Sequence, residues 1–437
     1  MRAIRAAVLL TLVVLSTGAL RAAEVVEKYD DGQTKVRYAT DAEGRKVGEY
    51  LEYFDNGKVR IKAMYLRGEM AGDYTEHFES GHVKIKTSYK AGKLSGAFTQ
   101  FHDNGKPAVK AAYADGKRQG TWTETDADGR VTVEQVFWND TVVCARSVRM
   151  IRAALDGLLS PAGGAKPIPP AGDETAATRD PLNLGEVRRL NAYRYLVGLA
   201  CDVTLSDAYC DLARAGAGLC AKIDKLDHTP ANPGLPEDEY KKAYQGTSHS
   251  NLHEGRGTRG SVDRYMDDSD PSNIDRVGHR RWCLNPAMKE CGFGQSGKFS
   301  AMYAHDASRK DAPDYDHVAY PAAGFMPNSF FAAGHAWSVS LNPKKYRKPD
   351  RATVSVTVSP LVAAKGQALR VDQRGPQMEM DYFNVDLGGF GIGNAIIFRP
   401  KGVSTRDGSA YWVEIKGLKK LDGADATLEY LVHFVTL

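Results

Sequence analysis

The stretch GEYLEYFDNGKVRIKAMYLRGEMA, Gly48 to Ala71, decides the architecture of the first third of the chain. Two runs of alternating polar and apolar residues flank Asp55-Asn56-Gly57. Alternation is the mark of a half-buried strand, and Asn-Gly between two such runs predicts a hairpin of type I′, because glycine reaches positive φ freely. The pattern restarts every 24 residues, as GDYTEHFESGHVKIKTSYKAGKLS from Gly72, GAFTQFHDNGKPAVKAAYADGKRQ from Gly96 and GTWTETDADGRVTVEQVFWND from Gly120. Gly57, Gly81, Gly105 and Gly129 recur in the turns. Rings recur at Tyr50, Tyr74, Phe98 and Trp122, and again at Tyr65, Tyr89, Tyr113 and Phe137. Such a period predicts stacked hairpins with a ladder of rings.

These units resemble MORN-type repeats, in the variant found in bacterial antitoxin-like repeat proteins, over residues 28 to 140. The resemblance implies an extended β-meander that serves as a docking surface or spacer. No thiol or histidine recurs at a fixed place in the units, so they read as structure or binding rather than catalysis.

Working outward, residues 1–23 hold a basic start and the apolar run AAVLLTLVVLSTGAL, the pattern of a cleaved signal peptide. The run is shorter than the ~20 residues of a spanning helix, so no transmembrane segment is expected in the mature chain. The whole chain carries a formal charge of +4; loss of Arg2, Arg5 and Arg21 leaves +1. That is too near neutral for electrostatic nucleic-acid binding. Six cysteines, at 144, 201, 210, 220, 283 and 291, suit an oxidising compartment, and the short Cys283 to Cys291 interval suggests one disulfide. A length of 437 residues calls for two or three cores. The Pro/Ala/Gly-rich stretch SPAGGAKPIPPAGDETAATRDP marks a linker between the repeats and the rest.

Beyond the linker, Val187, Leu190, Tyr193 and Val197 fall on one helical face. A second helix follows Ser206, with a stripe of Tyr209, Leu212, Leu219, Ile223 and Leu226, and Gly216 inside it predicts the close approach of a neighbour. The ordered motifs LDHTP, SNL, VDRYM, GHRRWCLNP and GFG then resemble the CAP superfamily, the SCP-like extracellular domain of bacterial type, over residues 182–308. That resemblance implies an α-β-α sandwich whose cleft gathers His228 and His279. The family's first acidic residue is replaced by Ser250, in the stretch Ser250-Asn251-Leu252, while Asp268 falls near the second acidic position and Glu254 is a candidate substitute for the missing carboxylate. His228, His279, Ser250, Asn251, Asp268 and Glu254 are therefore the expected ligand-binding cleft. His228 and His279 are also candidate ligands for zinc or another divalent metal, although two imidazoles fall short of the three protein ligands of a working zinc site. His305, His317 and His335 read as ordinary histidines, with His249 of more interest beside Ser250. No Gly-x-Ser-x-Gly or His-Glu-x-x-His occurs, and no catalytic residue is assigned.

The last third alternates as strands: Val354, Val356 and Val358; Leu428, Tyr430, Val432 and Phe434. GGFGIGN is followed by strand-like NAIIFRP, which excludes a dinucleotide fingerprint. The expected fold class is an α+β multidomain chain with an N-terminal β-hairpin repeat array (24–143), a linker (144–181), a central CAP-like α-β-α sandwich (182–308) and a C-terminal β-sandwich (312–437). The expected function is non-enzymatic binding, in the periplasm, at the cell surface or as a secreted protein, of a protein or cell-envelope partner or a small lipid-like ligand or ion. The alternative is a metal-assisted, protease-like hydrolase using the same histidines.

Overall fold

Twelve strands of the repeat region form one antiparallel sheet. The computed structural model describes residues 23–144, 146–160, 180–255, 257–362 and 374–437. The signal-peptide assignment, save Ala23, and the middle of the linker (161–179) lie outside the described residues. The strands are β1 (Ala23–Lys28), β2 (Thr34–Thr40), β3 (Lys46–Tyr53), β4 (Val59–Leu66), β5 (Glu69–His77), β6 (Val83–Lys90), β7 (Lys93–Leu94), β8 (Gly96–Phe101), β9 (Pro107–Ala114), β10 (Lys117–Thr125), β11 (Val131–Trp138) and β12 (Thr141–Cys144). Each pairs with its neighbour in sequence, apart from β7, a short edge extension on β6.

The turn chemistry differs from expectation. At Phe54–Lys58, Gly57 has φ of 78° while Asn56 is not left-handed, and the Phe54 carbonyl accepts the Gly57 N–H at 3.0 Å. This is a three-residue loop closed by a left-handed glycine, so the strand register slips at Glu52/Tyr53. The type I′ turns lie at the other ends of the units, where both central residues are left-handed: Arg67-Gly68, Ala91-Gly92, Asp115-Gly116 and Asn139-Asp140. Within each unit the two recurring rings touch, with centroids 5.6 Å apart for Tyr50–Tyr65, 5.5 Å for Tyr74–Tyr89, 5.6 Å for Phe98–Tyr113 and 6.1 Å for Trp122–Phe137. The predicted ladder is thus a series of tilted and edge-on pairs, the geometries that ring quadrupoles favour.

A second unit comprises Val148–Pro360 and Gly375–Leu437. Its first half holds α1 (Val148–Leu159), α2 (Pro181–Leu196), β13 (Thr204–Leu205), α3 (Asp207–Ile223), α4 (Glu237–Ser248), β14 (Ser250–Glu254), α5 (Ser261–Asp267), α6 (Gly278–Cys283), β15 (Glu290–Ser296) and β16 (Phe299–Tyr303). The four strands form a sheet in the order β13-β15-β16-β14. Helix α3 covers one side of it, where Ala213, Ala217 and Cys220 meet Leu252, Phe299, Ala301 and Tyr303. Glycines permit this approach: a Cβ on Gly292 would lie 2.2 Å from the Tyr209 carbonyl carbon, and one on Gly294 2.2 Å from the Arg214 nitrogen. The close approach predicted at Gly216 is made by Gly246 of α4, whose carbonyl carbon would sit 2.5 Å from an added Cβ.

The remaining strands are β17 (His317–Tyr320), β18 (Gly324–Pro327), β19 (Trp337–Leu341), β20 (Ser355–Leu361), β21 (Met380–Asp386), β22 (Ala395–Pro400), β23 (Ala410–Lys419) and β24 (Asp425–Val435). They make two four-stranded sheets, β17-β19-β22-β21 and β18-β24-β23-β20. Trp337 of the first, fully buried, meets Tyr411 and Phe434 of the second at 5.9 and 6.5 Å.

The expected α+β class with a central α-β-α sandwich is corrected. Strand accounts for 41% of the protein and helix for 19%, so the protein is mostly β and its largest element is the twelve-stranded sheet. The physical reason lies in Arg280 and Arg281 of α6, which are buried and, besides carbonyls of Met266, Asp267 and Arg276, take acceptors from the last third of the chain. Arg280 donates to the Ala336 carbonyl at 2.8 Å and to Ser338 at 3.1 Å; Arg281 donates to the Ile392 carbonyl at 2.7 Å and pairs with Asp386. A middle segment closed in this way by β-strand partners is no free-standing sandwich. The expected Cys283–Cys291 disulfide is also absent. Cys210, Cys220, Cys283 and Cys291 are free thiols, all buried, and Cys283 instead accepts from the Asn251 amide at 3.6 Å.

Candidate functional site

Backbone alternation decides which of the expected cleft residues meet. Along β14, Ser250, Leu252 and Glu254 share one face and Asn251 and His253 the other. Leu252 enters the core under α3, so Ser250 and Glu254 belong to that side. Ser250 is buried with no partner for its hydroxyl. Glu254 is exposed and pairs with Lys298 at 2.8 Å. Neither is brought to His279.

Asn251 faces the other way. Its amide donates to the His279 carbonyl at 3.0 Å, and its own carbonyl accepts the Tyr265 hydroxyl at 3.0 Å. The helix start that carries His279 is thereby tied to β14. Asp268, in a left-handed conformation at the end of α5 (φ 47°), turns its buried carboxylate back onto α6. Oδ1 lies 2.8 Å from the His279 Nδ1, and Oδ2 accepts the His279 backbone N–H at 2.9 Å. A carboxylate on Nδ1 fixes the ring and leaves Nε2 as the atom that can engage a ligand.

His228 completes the pair, its ring centroid 6.5 Å from that of His279. Its Nδ1 lies 3.1 Å from the Thr247 carbonyl, which accepts the ring N–H as a hydrogen bond and again leaves Nε2 as the second polar atom of the ring. Burial pushes the His228 imidazole below the usual histidine range, opposed by the Thr247 carbonyl and reinforced by His279. A neutral ring both donates and accepts, which suits a polar uncharged ligand.

His305, expected to be an ordinary histidine, and His249, of interest beside Ser250, join this group. His305 stacks on Trp282 with centroids 3.7 Å apart and lies 5.1 Å from His249. His249 in turn stacks on Tyr303 at 5.8 Å. Burial, with His249 and His228 nearby, takes His305 down to about 4. No spacing rule links Trp282, at the end of a short helix, to His305, beyond the end of β16. His253 of β14 stands opposite Ser300 of β16; burial lowers it to about 4, and its Nε2 has no hydrogen-bond partner among the described residues.

Zinc or another divalent ion is not matched by this donor set. Among the described residues no three His, Cys, Asp or Glu side chains converge as a metal cage. His228 and His279 supply two donors, Asp268 is committed to a ring nitrogen and a backbone N–H, and Glu254 faces away. Also among the described residues, no helix is long and apolar enough to cross a membrane.

Comparison with known proteins bears on the repeats. Residues 46–66 match the MORN repeat variant family, so the β-hairpin units are MORN-like. No curated protein matches the chain. Among solved structures, a chain of the crystal structure of the GtfA/B complex bound to UDP and GlcNAc is similar at 19% identity, over 35% of this chain and 27% of that chain, with a TM-score of 0.12. This chain thus spans about a quarter of that one, and so low a score carries no argument.

Proposed function

We propose that the protein is a non-enzymatic binding protein acting outside the cytoplasm, in which the cleft between His228 and His279 receives a small polar or amphipathic ligand and the MORN-like sheet engages a partner of the cell envelope. The observation that carries the reading is the orientation of the two imidazoles. Asp268 and the Thr247 carbonyl each occupy an Nδ1, so each ring keeps Nε2 as its remaining polar atom, with the two centroids 6.5 Å apart. Tyr265 adds ring surface 5.6 Å from His279, and Trp282, which stacks on His305, lies three residues further along α6. Pairs of fixed polar atoms among aromatic walls are the usual make-up of a small-molecule site.

Chemistry is not assigned to the cleft. A serine nucleophile at Ser250 would need His279 as its base, and the two side chains leave β14 and α6 on opposite sides of the sheet. The test is native mass spectrometry of the protein from its natural host, beside His228→Ala and His279→Ala, with zinc measured in the same samples. A small-molecule adduct lost from both variants is the expected result. Stoichiometric zinc lost from both would replace this reading with the metal-assisted hydrolase.

A further inference from the structure

The pairing of the repeat strands places one line of side chains straight across the sheet. Residues directly opposite in register share a face, and the succession runs Arg37–Leu51–Lys62–Thr75–Lys86–Thr99–Lys110–Thr123. Cation and uncharged residue alternate over eight strands. The face is the one opposite the ring ladder, since Thr75 follows Tyr74 and Thr99 follows Phe98. All four cations are exposed. Arg37 and Lys62 have carboxylates at hand, Glu24 at 3.9 Å and Glu49 at 2.6 Å; Lys86 and Lys110 make no ion pair among the described residues. The hydroxyls of Thr75, Thr99 and Thr123 likewise have no hydrogen-bond partner among the described residues.

Alternation has a geometric result. Neighbouring strands lie ~4.8 Å apart, so successive cations stand about 10 Å apart, with Leu51 between Arg37 and Lys62 and a threonine hydroxyl midway between Lys62 and Lys86 and between Lys86 and Lys110. We infer that this row is a binding track for an anionic polysaccharide with a carboxylate on every second sugar. Two sugars of an extended chain advance by about that step, which sets each carboxylate on a lysine and leaves the intervening sugar's hydroxyls at a threonine. An acidic peptide in extended form presents side chains on one face at about 7 Å intervals, out of step with the lysines. A bilayer offers charge over a plane and gains nothing from a single row of hydroxyls. The inference concerns the repeat sheet alone and stands apart from the histidine cleft.

Hyaluronate, with its carboxylate on alternate sugars, is the probe. Binding to the full chain is measured by isothermal calorimetry at low and at high salt, for the native protein, for Lys62→Thr/Lys86→Thr/Lys110→Thr, and for Lys225→Gln/Lys241→Gln/Lys242→Gln, which removes the same charge from the second unit. The expected result is binding weakened at least ~10-fold by the row variant, with a shallower salt dependence, and unchanged by the control. Thermal melting reports whether the row variant is folded; if it is not, Lys86→Thr alone is expected to weaken binding about 3-fold. The inference is overturned by any of three results: no binding of hyaluronate at low salt, equal loss in the row variant and the control, or row-dependent binding that is tighter to phosphatidylglycerol vesicles or polyglutamate than to hyaluronate.

Discussion

Asp268 holds His279 at two points, the ring Nδ1 at 2.8 Å and the backbone N–H at 2.9 Å, from a carboxylate that is itself buried. Removing it strands two polar groups at the start of α6. Asp268→Ala is expected to lower the stability of the second unit by about 2–4 kcal/mol, while Asp268→Asn, which keeps an acceptor, should lose roughly half as much. Urea denaturation of the three proteins measures this. Equal stability would mean that the carboxylate does not organise the site.

Arg280 and Arg281 join the middle segment to the C-terminal strands. With one removed, the buried Ala336 or Ile392 residue loses the donor to its carbonyl, and without Arg281 the half-buried Asp386 carboxylate loses its ion-pair partner. Arg281→Met is expected to cost about 3–5 kcal/mol. For the same reason a fragment of residues 180–311 should lack fixed tertiary packing, which near-ultraviolet circular dichroism would show as the absence of aromatic bands. A folded fragment would refute this account of the corrected fold.

Gly216 and Gly246 reverse the usual helix rule. Alanine favours an exposed helix interior by ~1 kcal/mol over glycine. Here an added Cβ on Gly246 would lie 2.0 Å from the Leu212 carbonyl oxygen, and on Gly216 2.5 Å from the Gly246 carbonyl carbon. Backbone cannot yield as a flexible side chain can, so Gly246→Ala should destabilise by more than ~2 kcal/mol. A melting temperature at or above that of the native protein would sink the prediction.

Ala91 makes the opposite case. It occupies the first central position of a type I′ turn at φ 48°, where the sister turns carry Arg67, Asp115 and Asn139. A left-handed conformation is costly for alanine and easier for asparagine. Ala91→Asn should therefore stabilise the repeat region by about 0.5–1 kcal/mol, read as a rise in the denaturation midpoint.

Three partly buried imidazoles set an acid limit. Burial lowers His253, His305 and His433 to about 4, below the ~6.5 of an unfolded chain. The native state then binds fewer protons than the unfolded state between those values. Stability is full above about pH 6.5 and falls as pH drops toward 4. His433→Gln should flatten the slope in that window, which melting temperatures at half-unit pH steps would record. An unchanged slope would count against a neutral His433.

The repeat region was readable because its information is local: turn residues and rings return at a fixed period within each hairpin. Helices α2 and α3 were readable for a similar reason, although α3 stops at Ile223, where Asp224 turns left-handed, and not at Leu226. Helix α4 escaped because Glu-Asp-Glu-Tyr-Lys-Lys after Pro236 has no apolar stripe. Glu254 was misplaced through neglect of the two-residue strand period, which sets it opposite Asn251. The burial of Arg280 and Arg281 had no local sign at all, because arginine reads as surface until its acceptors in distant strands are known. The Cys283–Cys291 expectation failed because closeness in sequence says nothing of how thiols on a helix and on a strand are directed.

The repeat sheet has one further property. Because every unit begins and ends at the same point of the hairpin cycle, an in-frame duplication of 24 residues would insert two more strands without disturbing the register of those on either side. The length of the array is therefore a heritable variable, adjustable in whole units by gene duplication or loss, and independent of the fold to which it is joined.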